Sequence, residues 1–342
     1  MTKPEPRIPN PDLTHSPPSR QRLVLAFAAV YVIWGSTYLG IKFAIETIPP
    51  FLMAGTRFII AGSILYAWLR WRGAERPRPV QWRAASIVGA LLFLGGNGAL
   101  SWAELRVDSG LASLLVSTIP LWMVLITHVE HKLKHQGGRL GVRVISGLAL
   151  GLIGIILLVG SSGGAGHWHV DRAGAAVLLG ASLAWTLGSL YSPRAGLPRS
   201  TLLAASMEML CGGVLLIVFG VVTRETADLH VSAITLRSAL GLIYLITFGS
   251  LLGFTSYNWL LTHSTPARVS TYAYVNPVVA VFLGWAIAGE AITLRMLTAA
   301  GLVVLAVALI VSHRARATTS PAAGGAAPRE AEEDTVAPVP LD

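Results

Sequence analysis

Apolar stretches of roughly 20 residues recur along the whole chain, and nothing constrains its fold more. A helix rising 1.5 Å per residue needs about that length to cross the hydrocarbon of a bilayer. We place spans at 22–41, 50–69, 83–103, 109–129, 143–161, 173–191, 201–222, 238–261, 267–288 and 296–312. The expected fold is therefore an all-α integral membrane protein with ten transmembrane helices. Composition agrees: 53% of residues are hydrophobic and 13% charged, against about 25% charged in an ordinary soluble domain. The first run is longer than a signal-peptide core and continues through Trp34, so it reads as a retained span.

The formal charge of +9 does not point to nucleic acid, because Lys and Arg sit in short clusters between apolar runs rather than along one helix face. With the N-terminus inside, the cytoplasmic segments hold Arg20, Arg22, the Arg70/Arg72/Arg76/Arg78/Arg83 cluster, Lys132, Lys134, Arg139, Arg143, Arg194, Arg199, Arg268, Arg314 and Arg316. The opposite segments hold Lys42, Arg106, Arg172, Arg224, Arg237 and Arg295. This bias predicts both termini in the cytoplasm. Cys211 is the single cysteine and lies inside an apolar run, which excludes an internal disulfide and argues against a thiolate or redox centre.

A faint internal repeat organises the spans. At an offset of 151, Trp34 meets Trp185, Ala54 meets Ala205 and Gly62 meets Gly213; at 157, Leu94 meets Leu251, Gly96 meets Gly253, Trp102 meets Trp259, Ser113 meets Ser270 and Pro120 meets Pro277. The change of offset falls in loops, where insertions are tolerated. Each unit holds five spans, so the second begins on the opposite side of the membrane and the repeat is inverted, as in many alternating-access carriers. The expected organisation is a disordered cytoplasmic tail over 1–20, a first five-helix repeat over 21–162, a second over 170–313 and a disordered cytoplasmic tail over 314–342.

Two formal charges lie well inside the spans, Arg57 in the second and Glu208 in the seventh, and the offset of 151 makes them equivalent. Ionisable groups at such depth face a bundle interior or a wet cavity and mark substrate, ion or proton pathways. Arg57 reads as a partner for an anionic group and Glu208 as a proton-titratable or amine-binding group; the alternative gives each a fixed hydrogen-bonded partner. Pro120 and Pro277 lie mid-span in equivalent helices, where each frees a carbonyl one turn earlier and marks a helix break. Around them gather Trp34, Ser36, Thr37, Tyr38, Asn97, Trp102, Trp185, Ser189, Tyr257, Asn258, Trp259, Tyr272, Tyr274 and Asn276. Such side chains suit a cavity for amphipathic metabolites, although Tyr38, Trp102 and Trp259 lie where interfacial belts also form.

His128, His131 and His135 share a face if the fourth span continues, but Lys132 and Lys134 oppose a cation there, so no metal site is expected. The glycine-rich stretch Gly160 to Gly166 lacks the lysine of a phosphate-binding loop, and no hydrolytic constellation occurs, so neither a cofactor nor a catalytic residue is assigned.

The segments WGSTYLGIKFAIETIPPFLMAGTRFIIAG at 34–62, GGNGALSWAE at 95–104, SMEML at 206–210 and TYAYVNPVVAVFLGWAIAGE at 271–290 resemble EamA-type drug/metabolite exporters of the drug/metabolite transporter superfamily. That resemblance implies ten helices in two inverted repeats, cytoplasmic termini and a central cavity lined by spans one, three, four, six, eight and nine. It favours Trp34, Thr37, Asn97, Trp185, Tyr257, Tyr272 and Asn276 as cavity residues, and makes Arg57, Glu208, Pro120, Pro277 and Glu290 motif positions. The function expected is a secondary transporter of the inner membrane that exports small amphipathic metabolites such as amino acids, with Glu208 as the proton-coupling candidate. Its partners are a small-molecule substrate and membrane lipid, with no nucleic acid. An importer or antiporter of another small solute and a non-transporting membrane sensor are the rival readings.

Overall fold

The structure is a computed structural model that describes residues 19–134, 142–159, 171–264, 266–269 and 271–319. The expected tails, apart from their innermost residues, lie outside the described residues, as do the Gly160 to Gly166 stretch and His135. Among the described residues there are helices and no strands. Seven helices are long and apolar enough to cross a membrane: α1 (Arg20–Ala44), α2 (Pro50–Trp71), α3 (Pro79–Ala103), α4 (Ser109–Leu133), α6 (Arg172–Arg194), α7 (Thr201–Val222) and α8 (Leu236–Leu260). Three further helices, each with a shorter apolar stretch, fall on the remaining expected spans: α5 (Val142–Val159), α9 (Tyr272–Ala288) and α10 (Leu294–Thr319). Helix α10 runs to Thr319, into the stretch expected to be a disordered tail from 314.

Local chemistry sets the helix starts. Pro50 and Pro79 open α2 and α3, where the missing N–H of proline costs nothing. Asp171, Ser200 and Thr235 cap α6, α7 and α8 by accepting from the N–H groups of Gly174, Leu203 and Ser238.

The packing follows the two offsets read in the sequence. Helices α2 and α7 are equivalent and pack on each other, with Gly62 against Leu210 and Gly213 against Ile59, a pair of contacts that the offset of 151 interchanges. The equivalent helices α5 and α10 pack likewise, Gly154 facing Val303. Trp34 of α1 lies on Gly253 of α8, and its equivalent Trp185 of α6 lies on Gly96 of α3. Small residues permit these approaches, and helix association in lipid rests on such close packing. The first span of each repeat therefore packs on the third span of the other.

In both third spans the helix is widened. Residues Ala90–Gly98 of α3 and Leu245–Leu252 of α8 are π-helical. Such turns are rare and gather at functional sites. The fourth span is interrupted elsewhere than expected. Its helix ends at Val116 and resumes at Ile119, so Pro120 lies in the first turn of the second half and the break is at Ser117–Thr118. Pro277 lies inside the uninterrupted helix Tyr272–Ala288 and does not break it. Its missing N–H leaves the carbonyl of Ala273 without its usual intrahelical donor, a single lost bond that the helix carries.

Candidate functional site

The widened turns, the interrupted fourth span and the two tryptophans meet at one internal cavity of about 120 Å³. Trp34, Thr37 and Tyr38 reach it from α1, Arg57 from α2, Gly96 and Asn97 from α3, Val116 and Ile119 from the break in α4, Trp185 from α6, Gly249 from α8, and Tyr272 and Asn276 from α9. The sequence candidates Trp34, Thr37, Arg57, Asn97, Trp185, Tyr272 and Asn276 thus share one space. Tyr257 does not line it; its ring stands 5.0 Å from that of Trp34 and 5.9 Å from that of Tyr272, behind the wall. Tyr38 is buried in the cavity wall rather than in an interfacial belt.

Several polar wall residues are held by neighbours. Asn97 Nδ2 donates to Leu92 O at 3.3 Å, five residues back, where the π turn has displaced the usual ladder. Thr37 Oγ1 donates to Trp34 O at 2.6 Å. The Asn276 amide, oriented to satisfy its surroundings, donates to Tyr31 O at 3.3 Å and Tyr272 O at 3.2 Å, joining α1 to α9. At the break in α4, Thr118 Oγ1 lies 2.9 Å from Ser182 Oγ, which also accepts from Trp122 Nε1 at 2.9 Å. Ser182 of α6 therefore fixes the interrupted fourth span.

Arg57 is the charged wall residue. Its guanidinium is buried, donates through Nε to Ser250 Oγ at 2.9 Å and lies over the Phe58 ring at 4.6 Å. It makes no ion pair among the described residues. A buried guanidinium with donors to spare in a cavity wall is the arrangement that receives a carboxylate or another anionic group. Glu208, its sequence equivalent, lies away from the cavity. Its Oε1 accepts from Ser192 Oγ at 3.0 Å, and α3 packs closely beside it at Gly89. The two groups do not touch each other.

A second charged assembly lies at the C-terminal end of α1. Gly289 adopts φ +67 after α9, a conformation that suits glycine, and the N–H of Glu290 bonds back to Gly284 O at 3.0 Å. This turn directs the Glu290 carboxylate onto the N-terminus of α4. Oε1 accepts from Ser109 N at 2.9 Å, Ser109 Oγ at 2.7 Å and Lys42 Nζ at 2.7 Å; Oε2 accepts from Gly110 N at 3.0 Å. Lys42 also donates to Asp108 at 3.2 Å. One carboxylate therefore ties α1, α4 and α9 together. Burial works to raise its pKa, but the Lys42 ammonium and the N–H groups of Gly110 and Ser109 outweigh it and hold the carboxyl below its usual range. Beside this latch Glu104 is buried at the end of α3. At the C-terminal end of α6, Arg194 Nη1 pairs with Glu130 of α4 at 2.9 Å, close to the positions that the offsets map from Lys42 and Glu290.

Glu104 and Lys42 escaped sequence reasoning because a charge at a span end reads as a solvated loop residue. The usable signal was the acidic pair Glu104 and Asp108 flanking the short link from α3 to α4, opposite a lone lysine. A broad cleft of about 690 Å³ also opens at this end, between Thr47, Phe51, Trp102, Phe219 and Glu225, and it shares no lining residue with the internal cavity. Among the described residues no three potential metal-ligating side chains come together.

The chain is 37% identical over 298 residues to the uncharacterized inner membrane transporter YedA of Escherichia coli K12, covering 85% of this chain and 92% of that protein. It is 25% identical to the uncharacterized transporter YoaV of Bacillus subtilis, over 82% of this chain and 94% of that one. A solved crystal structure that is 22% identical matches 88% of this chain and all of its own with a TM-score of 0.57, which supports the fold alone. The model of the EamA-like transporter family matches twice, over 21–160 and 172–312. With both halves matched and the two matches corresponding to the two sets of interchanged helix contacts, the chain belongs to the EamA-like transporter family.

Proposed function

We propose that the protein is a secondary carrier of the inner membrane that exports small amphipathic metabolites bearing a carboxylate, such as amino acids, by alternating access. In this reading ten helices span the bilayer as two inverted five-helix repeats, with both termini in the cytoplasm. The observation that carries it is the internal cavity between the repeats, walled by aromatic rings and by a buried Arg57 that has no acidic partner among the described residues. Rings flank the apolar part of a substrate while Arg57 takes its carboxylate. The cavity, about 120 Å³, is small, and in this reading the first spans move against the widened third spans as substrate enters. The π-helical turns in α3 and α8 supply backbone that is not locked into the ordinary ladder at that place.

The test is flux by the purified protein in liposomes, with a labelled panel of amino acids, their decarboxylated amines and unrelated metabolites. Saturable uptake of the carboxylate-bearing compounds above that of empty liposomes is the expected result. Binding of the same compounds without flux would replace the carrier with a sensor.

A further inference from the structure

Glu104 stands apart from every other acidic group at the α1 C-terminal end. Its side chain is buried, and neither carboxylate oxygen has a hydrogen-bond partner among the described residues. An ionised carboxylate in that position is costly, whereas the neutral acid is tolerated. The groups that act on it electrostatically are Glu290, which follows α9, and Lys42 on α1, while the Tyr38 ring feels its charge from α1. At the same end Asp108 is engaged with Lys42, and Arg106 pairs with Asp171 at 3.5 Å. Lys42 has three N–H donors and gives them to two acceptors, Glu290 and Asp108. It retains one for a third.

We propose that Glu104 is the proton-binding group of this carrier and that its protonation state controls the latch of Lys42 on Glu290. This deepens the carrier reading and rests on it. With a proton on Glu104, the side chain is neutral, Lys42 stays on Glu290, and Glu290 keeps α4 and α9 bound to the end of α1. When the proton leaves to water, a negative charge arises beside Glu290, repels it and draws Lys42 away. The tie between α1 and the ends of α4 and α9 then loosens. The proton released to water on this side opens that end; with that end closed and the other open, Glu104 takes its next proton from the other side by way of the cavity wall at Tyr38, so one proton crosses in each cycle. The offset of 157 maps Glu104 to Leu261, an apolar residue, so the second repeat has no equivalent group at that position.

The experiment measures accumulation rather than rate. Liposomes carrying the full chain are given a one-unit pH gradient with the membrane potential clamped at zero, and the steady-state substrate ratio is read for wild type, Glu104→Gln and Glu208→Gln. One coupled proton sustains a ratio of about tenfold per pH unit. The expected results are about tenfold for wild type and for Glu208→Gln, and a ratio of one for Glu104→Gln whatever its absolute flux. Accumulation retained by Glu104→Gln, or lost in Glu208→Gln alone, overturns the proposal. A second measurement needs no transport: the infrared carbonyl band of a protonated carboxylic acid on Glu104, taken as wild type minus Glu104→Gln and followed against pH, must be present. Its absence from wild type overturns the proton site even if flux is found. Its presence in a protein without flux leaves the proton site standing and removes the carrier reading instead. If Glu104→Gln does not fold, Lys42→Met serves, and a Glu104 band whose pH midpoint fails to move in that variant overturns the coupling.

Discussion

Substituting Glu290 tests the latch directly. Four donors converge on its carboxylate, two of them N–H groups from the first turn of α4 and one the Lys42 ammonium. Glutamine keeps one acceptor oxygen and points an NH₂ group at donors, so at least one buried N–H is left without a partner. The side chain of Glu290 is 6% exposed and that of Lys42 28%. Removing one member of a buried pair costs about 3–5 kcal/mol, and the partial exposure of Lys42 places the expectation for Glu290→Gln at the lower end. The second contact of Lys42 is with the half-exposed Asp108, and pairs of that kind contribute about 0–1 kcal/mol. Asp108→Asn is therefore expected to cost far less. The assay is unfolding by a denaturing detergent in mixed micelles, followed by tryptophan fluorescence, with a cycle of Glu290→Gln, Lys42→Met and the double variant. The expected coupling is about 1.5–3 kcal/mol, that of a hydrogen bond between charged groups. A loss under about 1 kcal/mol for Glu290→Gln, or independent effects of the two substitutions, would refute the assignment of Glu290 as the tie between α1, α4 and α9.

Three other outcomes follow from the geometry. Arg57→Gln is expected to raise KM for carboxylate-bearing substrates about 100-fold, the loss of one buried charge-assisted contact, and to leave the decarboxylated amines much less affected; an equal effect on both classes counts against the carboxylate role. Gly253→Ala would press a methyl group into the Trp34 indole, while Gly96→Ala meets Trp185 Cε3 at 3.0 Å and Gly180→Ala meets nothing within 4 Å. Thermal stability should fall most for the first, by the equivalent of about 1–3 kcal/mol, less for the second and not at all for the third. The helix caps Glu225 and Glu290 carry opposite pH linkage. Burial, with help from Asp228, raises the Glu225 carboxyl despite the N–H groups of Leu52 and Phe51, so its packed state gains protons and is favoured on mild acidification. Glu290 is depressed, so its contribution is present above the usual carboxylate range and lost only as pH falls through its own lower value. Hydrogen exchange at Phe51 and Leu52 should therefore hold or slow between neutral and mildly acidic pH, and protection at Ser109 and Gly110 should fail only at stronger acidity; the reverse order contradicts the linkage.

The helical architecture was legible because lipid leaves a coarse imprint: a run of about 20 apolar residues has few other uses. The offsets marked Trp34 with Trp185 and Gly96 with Gly253 as equivalents, but which of them touch, Trp34 on Gly253 and Trp185 on Gly96, came only from the packing. Arg57, Asn97 and Asn276 stood out because a polar side chain in mid-span is expensive unless it faces a cavity. Depth does not reveal the face, however, and Glu208, at the depth of Arg57, faces Ser192 instead of the cavity. The π-helical turns left no signature, because Gly95, Gly96 and Gly249 read as packing residues whatever ladder their backbone forms. Proline spacing pointed to the fourth and ninth spans but missed the break at Ser117–Thr118, which is fixed by Ser182 from another repeat. Lys42, Glu104 and Glu290 come from three distant stretches, and a pattern read along one helix cannot join them.

The ion pair that joins α1 to the end of α9 and the one that joins α6 to α4 differ in how firmly they hold. In the proposed inverted arrangement the contacts closing one end have counterparts at the other, and the pairs Lys42–Glu290 and Arg194–Glu130 occupy nearly equivalent positions. Their surroundings are unequal. Lys42 and Glu290 are 28% and 6% exposed, whereas Arg194 and Glu130 are 60% and 23% exposed. An exposed pair is screened by water and salt and contributes little, while the buried one is reinforced by the N-terminus of α4. An apolar cluster joins Tyr38 and Leu100 of the cavity wall to Ile41, Leu111, Leu115 and Leu245. That cluster and the buried pair hold the C-terminal end of α1 in this conformation. Exchanging the roles of the two repeats would expose Lys42 and Glu290 and bury Arg194 and Glu130, with the cavity between them as the fixed point of the motion.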